Sequence, residues 1–104
     1  MTPAEYAALR SNAAAHTLLD VRTAEELAIA RIDPCIHIPL HELSQRLQEL
    51  EAHKHLPIVC LCHHGVRSGM ATAFLRERGF QQVHNLSGGI DAYARDVDST
   101  LPTY

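Results

Sequence analysis

Short apolar runs alternate along this chain with longer stretches whose apolar residues recur every three or four positions. His16–Val21, Cys35–Ile38, Pro57–Leu61 and Gln82–Leu86 are the short runs, and each reads as a β-strand. Pro57–Leu61 is apolar on both faces, the pattern of a central parallel strand covered from two sides. Helices fill the intervals. Thr2 caps the first, Pro3 suits its first position, and Glu5 completes a capping box; the helix runs to about Ser11–Asn12. Thr23 caps a second, whose Glu25 and Glu26 sit at the positive end of its dipole. Leu43, Leu47 and Leu50 give His41–Leu50 the spacing of an amphipathic helix, with Glu51–His55 a polar loop after it. Ser68–Arg78 brings Met70, Ala71, Phe74 and Leu75 to one face, and Gly79 stops it. Ile90–Val97 is the last helix, and residues 98–104 read as irregular. Asp33-Pro34 and Ser87-Gly88-Gly89 mark turns. Strands and helices in alternation, with short connections, predict an α/β domain on a mainly parallel sheet.

Length and charge narrow the picture. A chain of 104 residues predicts one domain over residues 1–104, with enough core to fold without staples. The net charge of −3 provides no basic field for nucleic acid or an anionic membrane surface. No apolar run approaches the ~20 residues of a membrane span. Met1–Glu5 has neither the basic nor the apolar region of a signal peptide, so a cytoplasmic protein is expected. Three cysteines do not suit a disulfide framework. Cys60 and Cys62, two apart on an extended segment, have Cα atoms ~6.6 Å apart, where a bridge would be strained. A reducing compartment and a working thiol fit better.

Cys62 is the candidate for that thiol. It ends the apolar run 57–61 and opens the loop His63-His64-Gly65-Val66-Arg67-Ser68, which feeds a helix start. In an open α/β sheet, ligands bind at the carboxyl ends of the strands. Successive N–H groups of such a loop make an anion nest, and the helix dipole adds to it. Together with the Arg67 guanidinium they favour the thiolate. Gly65 allows a positive φ or close approach to an anion. A metal reading of Cys60, Cys62, His63 and His64 fails on spacing, because zinc ligands need gaps of two or more residues. The two imidazoles instead line the pocket rim. Cys35 and Cys60 read as structural.

The loop resembles the active-site loop of the rhodanese (thiosulfate sulfurtransferase) family. Three further segments match in register. Leu18-Leu19-Asp20-Val21-Arg22 is similar to the family's early strand motif, Ile36-His37-Ile38-Pro39-Leu40 to its second, and Asn85–Tyr93 to its closing Gly-Gly turn and helix. The resemblance covers about Leu18 to Tyr93. It implies a rhodanese-like fold with a sheet of roughly five strands flanked by helices on both faces. It implies that Cys62 takes the sulfane sulfur of thiosulfate or a similar donor, becomes a persulfide, and passes the sulfur to a thiophilic acceptor: cyanide, a small thiol or a protein thiol. Residues 63–68 would bind the donor, no metal or other cofactor is called for, and Asp20 and Arg22 would hold the loop and strand ends. The segment Ala30–Cys35 lacks the glycine that the family often carries before its second strand, so the turn is rebuilt around Pro34.

Two alternatives stand beside this reading. Cysteine phosphatases and arsenate reductases use a similar thiolate, loop and arginine. The loop here, with four residues between Cys62 and Arg67, is one residue shorter than the phosphatase loop and suits a single sulfur atom better than three equatorial phosphoryl oxygens. A sulfur carrier without turnover of free thiosulfate is the other alternative; the presence of both Cys62 and Arg67 disfavours an inactive module.

Overall fold

The computed structural model describes residues 1–104. Four strands form one parallel sheet in the order β2-β1-β3-β4: β1 is Thr17–Asp20, β2 Ile36–His37, β3 Ile58–Leu61 and β4 Val83–Asn85. Four helices connect and cover them: α1 Pro3–Ser11, α2 Ala24–Ile29, α3 Val66–Glu77 and α4 Gly89–Asp96. The capping boxes at Thr2/Glu5 and Thr23/Glu26 are both formed.

The period of two along the central strands assigns each residue to one of two cores. Leu19, Ile58 and Cys60 point to one face, where Ala71 and Leu75 of α3 meet Leu43, Leu50, Phe80 and Val83. Leu18, Val59 and Leu61 point to the other, against Tyr6 of α1 and Ile90 and Tyr93 of α4. All of β3 is buried, as its uninterrupted apolar run requires. Each large aliphatic side chain so buried contributes roughly 1.5–3 kcal/mol relative to exposure.

Two expectations change. The sheet has four strands rather than about five, and they are the four apolar runs of the sequence. No α-helix spans His41–Leu50. Two 3₁₀ segments, Leu40–Glu42 and Leu47–His53, occupy this region and extend into the expected loop. Leucines at 40/43 and 47/50 are spaced by three, the repeat at which side chains eclipse in a 3₁₀ turn. Arg46, bonded to both Glu42 and Glu49, holds the two turns together.

Candidate active site

The sheet register places the site. Asp20 pairs with Leu61, and Cys60 with Asn85, so the carboxyl ends of β1, β3 and β4 lie side by side. Cys62 leaves β3 at that edge. Its loop is pinned from behind by α4, whose Ile90 and Asp91 N–H groups donate to the carbonyls of Cys62 and His63 at 2.9 and 3.1 Å. This close backbone approach explains Gly89. It has φ +63°, and a Cβ there would lie 2.5 Å from the Cys62 oxygen and overlap the His63 carbonyl. Gly65, at φ +103°, turns the loop and caps α3, which starts at Val66, two residues before the sequence expectation.

Cys62 is 1% exposed, yet its sulfur is in polar company. The Gly65 N–H donates to Sγ at 3.0 Å, and the Ser68 hydroxyl lies 3.2 Å from it. The same hydroxyl lies 2.6 Å from Asn85 Oδ1, and Asn85 Nδ2 donates to the Gly65 carbonyl at 3.0 Å. A hydroxyl carries one hydrogen. Ser68 therefore donates to Asn85 when Cys62 is a thiol that donates to it, and to Sγ when Cys62 is a thiolate. Cys60 has a different setting. It lies fully inside the core, and burial pushes its thiol up to about 11. Burial also raises the Cys35 thiol.

Arg67 is held by α2. Its Nη1 and Nη2 bond Glu26 Oε1 and Oε2 at 2.6 and 2.9 Å. The guanidinium keeps the Glu26 carboxyl well below the usual carboxylate range, and Glu26 in turn holds Arg67 above its ordinary value, with Cys62 near enough to add to the effect. Tyr104 donates its hydroxyl to Glu26 Oε2 at 2.7 Å and accepts from Arg22 Nη1 at 3.0 Å. Arg22 is fully buried in a fork on Asp20, and Nη2 also bonds the Ala30 carbonyl at 2.7 Å. Asp20 and Arg22 thus tie the end of β1 to α2 and, through Tyr104 and Glu26, to the loop. The imidazoles divide. His63 is sandwiched between Tyr104, stacked at 3.9 Å and 9°, and His64, while its Nε2 is buried without a hydrogen-bond partner. His64 is exposed, with Nδ1 3.7 Å from Asp91.

Of the loop residues singled out by sequence, Gly65 and Ser68 contact the Cys62 sulfur, while Arg67 is turned to Glu26, His63 stacks on Tyr104, and His64 and Val66 are exposed. Glu26, Asn85 and Tyr104 were not singled out. Glu26 carried only the signal of a carboxylate in the first turn of a helix, and Asn85 that of a polar residue at a strand's carboxyl end. Tyr104 had no signal, because its contacts come from 78 and 82 residues away. No group of metal-ligating side chains converges anywhere in the chain.

A family model for the rhodanese-like domain matches residues 2–96. The chain belongs to the rhodanese-like family. It is 39% identical to an adenylyltransferase and sulfurtransferase MOCS3-1 of Zea mays, over all of this chain and 23% of that protein, so it spans about a quarter of that relative's length. It is 38% identical to a sulfurtransferase of Allochromatium vinosum, over 75% of this chain and 71% of that one. A solved rhodanese-related protein from Thermoplasma volcanium superposes with a TM-score of 0.81 at 32% identity, covering 93% of this chain and 91% of that one. The human single-domain sulfurtransferase TSTD1 superposes with a TM-score of 0.77 at 27% identity, covering 92% and 95%. Sulfur transfer is the general chemistry to which these relatives point. No helix of this rhodanese-like chain is long and apolar enough to cross a membrane.

Proposed function

We propose that residues 1–104 act as one sulfurtransferase unit that moves a sulfane sulfur through a persulfide on Cys62. The observation that carries this reading is the pair of donors on one sulfur, Gly65 N–H and Ser68 O–H, at the carboxyl end of the central strand. The Cys62 thiolate attacks the outer sulfur of thiosulfate or a similar donor. The S–S bond of the donor breaks, sulfite leaves with the bonding pair, and a Cys62 persulfide anion remains. Cyanide, a small thiol or a protein thiol then attacks the outer sulfur and regenerates the thiolate. Two easier displacements replace one hard transfer, and ping-pong kinetics follow. The Gly65 N–H is fixed before reaction and holds the anion without reorganisation, and the Ser68 hydroxyl turns its one hydrogen to the sulfur when Cys62 ionises. A reducing, cytoplasmic setting keeps the thiol available.

Intact mass after incubation with thiosulfate alone tests the reading. One added sulfur atom, mapped to the Cys62 peptide and removed by cyanide as thiocyanate, is expected. Sulfur on Cys60 or Cys35 instead, or release of phosphate from aryl phosphates outpacing thiocyanate formation, would overturn it.

A further inference from the structure

Tyr104 reaches both ends of the active-site loop, one directly and one through Glu26. Its ring stacks on the His63 imidazole at 3.9 Å and 9°. Its hydroxyl accepts from Arg22 Nη1 at 3.0 Å and donates at 2.7 Å to Glu26 Oε2, the oxygen that Arg67 Nη2 also bonds at 2.9 Å. Burial pushes that hydroxyl up to about 12, so it stays a donor at neutral pH. His63 directly follows Cys62, and Arg67 directly precedes Ser68, whose hydroxyl lies 3.2 Å from Sγ. His63 Nε2 makes no hydrogen bond, so stacking on Tyr104 and His64 is what orients the ring. The backbone bonds from α4 reach Cys62 and His63, and the Asn85 amide reaches Gly65. The Arg67 guanidinium is held through Glu26. Tyr104 joins the two ends, and it belongs to neither core.

We propose that Tyr104 is a positioning residue for sulfur transfer, clamping the residue after the nucleophile directly and the residue before its hydroxyl donor through Glu26. The proposal rests on the sulfurtransferase reading above. With both neighbours held, Cys62 Sγ and the Ser68 hydroxyl keep their approach while the thiolate attacks. Without the clamp, the His63 ring and the Arg67 guanidinium are free to take other rotamers. Small displacements of reacting groups cost rate even when the change lies away from the chemistry.

Single-turnover loading of Cys62 from thiosulfate, followed by intact mass, tests this in the wild type, Tyr104→Phe and Tyr104→Leu. Urea melts and the NMR shifts of the His63 ring protons are read on the same preparations. Tyr104→Phe keeps the ring on His63 and loses the hydroxyl bridge; Tyr104→Leu loses both, and the His63 protons lose their ring-current shift. The maximal loading rate is expected to fall about 10-fold in Tyr104→Leu. Tyr104→Phe restores part of that loss. The half-saturating thiosulfate concentration changes little, because the clamped residues flank the nucleophile and its hydroxyl donor. In an Arg67→Ala background, Tyr104→Phe costs nothing further, since its hydroxyl acts through Glu26 on Arg67. Folded variants that load at the wild-type rate would overturn the proposal and leave sulfur transfer standing. So would a rise in the half-saturating concentration alone, which would make Tyr104 a binding residue. If Tyr104→Leu does not fold, Tyr104→Phe decides: a wild-type rate, or a further loss in the Arg67→Ala background, overturns the clamp. No loading of the wild type would overturn the sulfurtransferase reading and the clamp with it.

Discussion

Asn85 holds the hydroxyl of Ser68 at 2.6 Å while that hydroxyl lies 3.2 Å from the sulfur of Cys62. The side chain that positions the Ser68 oxygen, and shares its one hydrogen with the sulfur, comes from β4 and the sulfur from the end of β3, so neighbouring strands build the contact.

Replacing Ser68 with alanine removes one of the two donors to the sulfur. Sulfur loading on Cys62 is expected to fall about 100-fold, the lower end of what loss of a preorganised donor costs. Asn85→Ala leaves the Ser68 hydroxyl without its second partner and frees the Gly65 carbonyl, loosening both groups that donate to the sulfur. Its loss is expected to be smaller and to fall on kcat rather than KM. Steady-state thiosulfate:cyanide kinetics on both variants decide this; a KM effect alone would assign Asn85 to binding.

The three cysteines are expected to separate cleanly. Cys62→Ala abolishes transfer. Cys60→Ala leaves turnover intact and costs about 1–2 kcal/mol, because a fully buried sulfur is lost from the core that it shares with Leu19 and Ala71. Cys35→Ala, half-buried, costs less. Turnover and urea melts on the same preparations read both quantities. Equal loss of turnover in all three folded variants would contradict a single-thiol mechanism.

Gly89→Ala is expected to damage the site through the backbone. The new Cβ meets the carbonyls of Cys62 and His63, neither of which is the end of a flexible side chain. A loss of about 2–3 kcal/mol in stability is expected, with transfer impaired in whatever folds. Val66→Ala, at the exposed first position of α3, is the comparison and stays within about 0.5 kcal/mol of the wild type.

The Glu26–Arg67 pair makes stability depend on pH in a definite direction. The folded-state value of Glu26 lies below its ordinary 4.5, chiefly because Arg67 bonds the carboxylate. A depressed carboxyl stabilises the fold fully above its unfolded value, and the contribution fades as the pH falls below 4.5 toward the folded value. The pair is partly exposed, so roughly 1 kcal/mol is expected. The difference in melting between wild type and Glu26→Gln should be full near about pH 7 and shrink by about pH 3. A difference that grows in acid would reverse the assignment.

The α/β order was legible from the alternation of apolar runs with helically spaced segments, because a strand buried on both faces admits almost no polar residue. Thr2, Glu5 and Thr23 announced two helix starts, since capping is a local interaction within four residues. The coincidence of strand end, glycine and helix start at Cys62–Ser68 located the candidate thiol for the same local reason. The stretch from His41 to Leu50 was misread as one helix because leucine spacing of three or four serves both helix types. Tertiary structure alone decided how the loop is charged. Arg67 could be read only as a cation beside a thiol, because Glu26 stands 41 residues away and Tyr104 approaches from the other end of the chain. Sequence spacing specifies which side chains share an element. Charge pairing depends on which elements the sheet register brings to one edge.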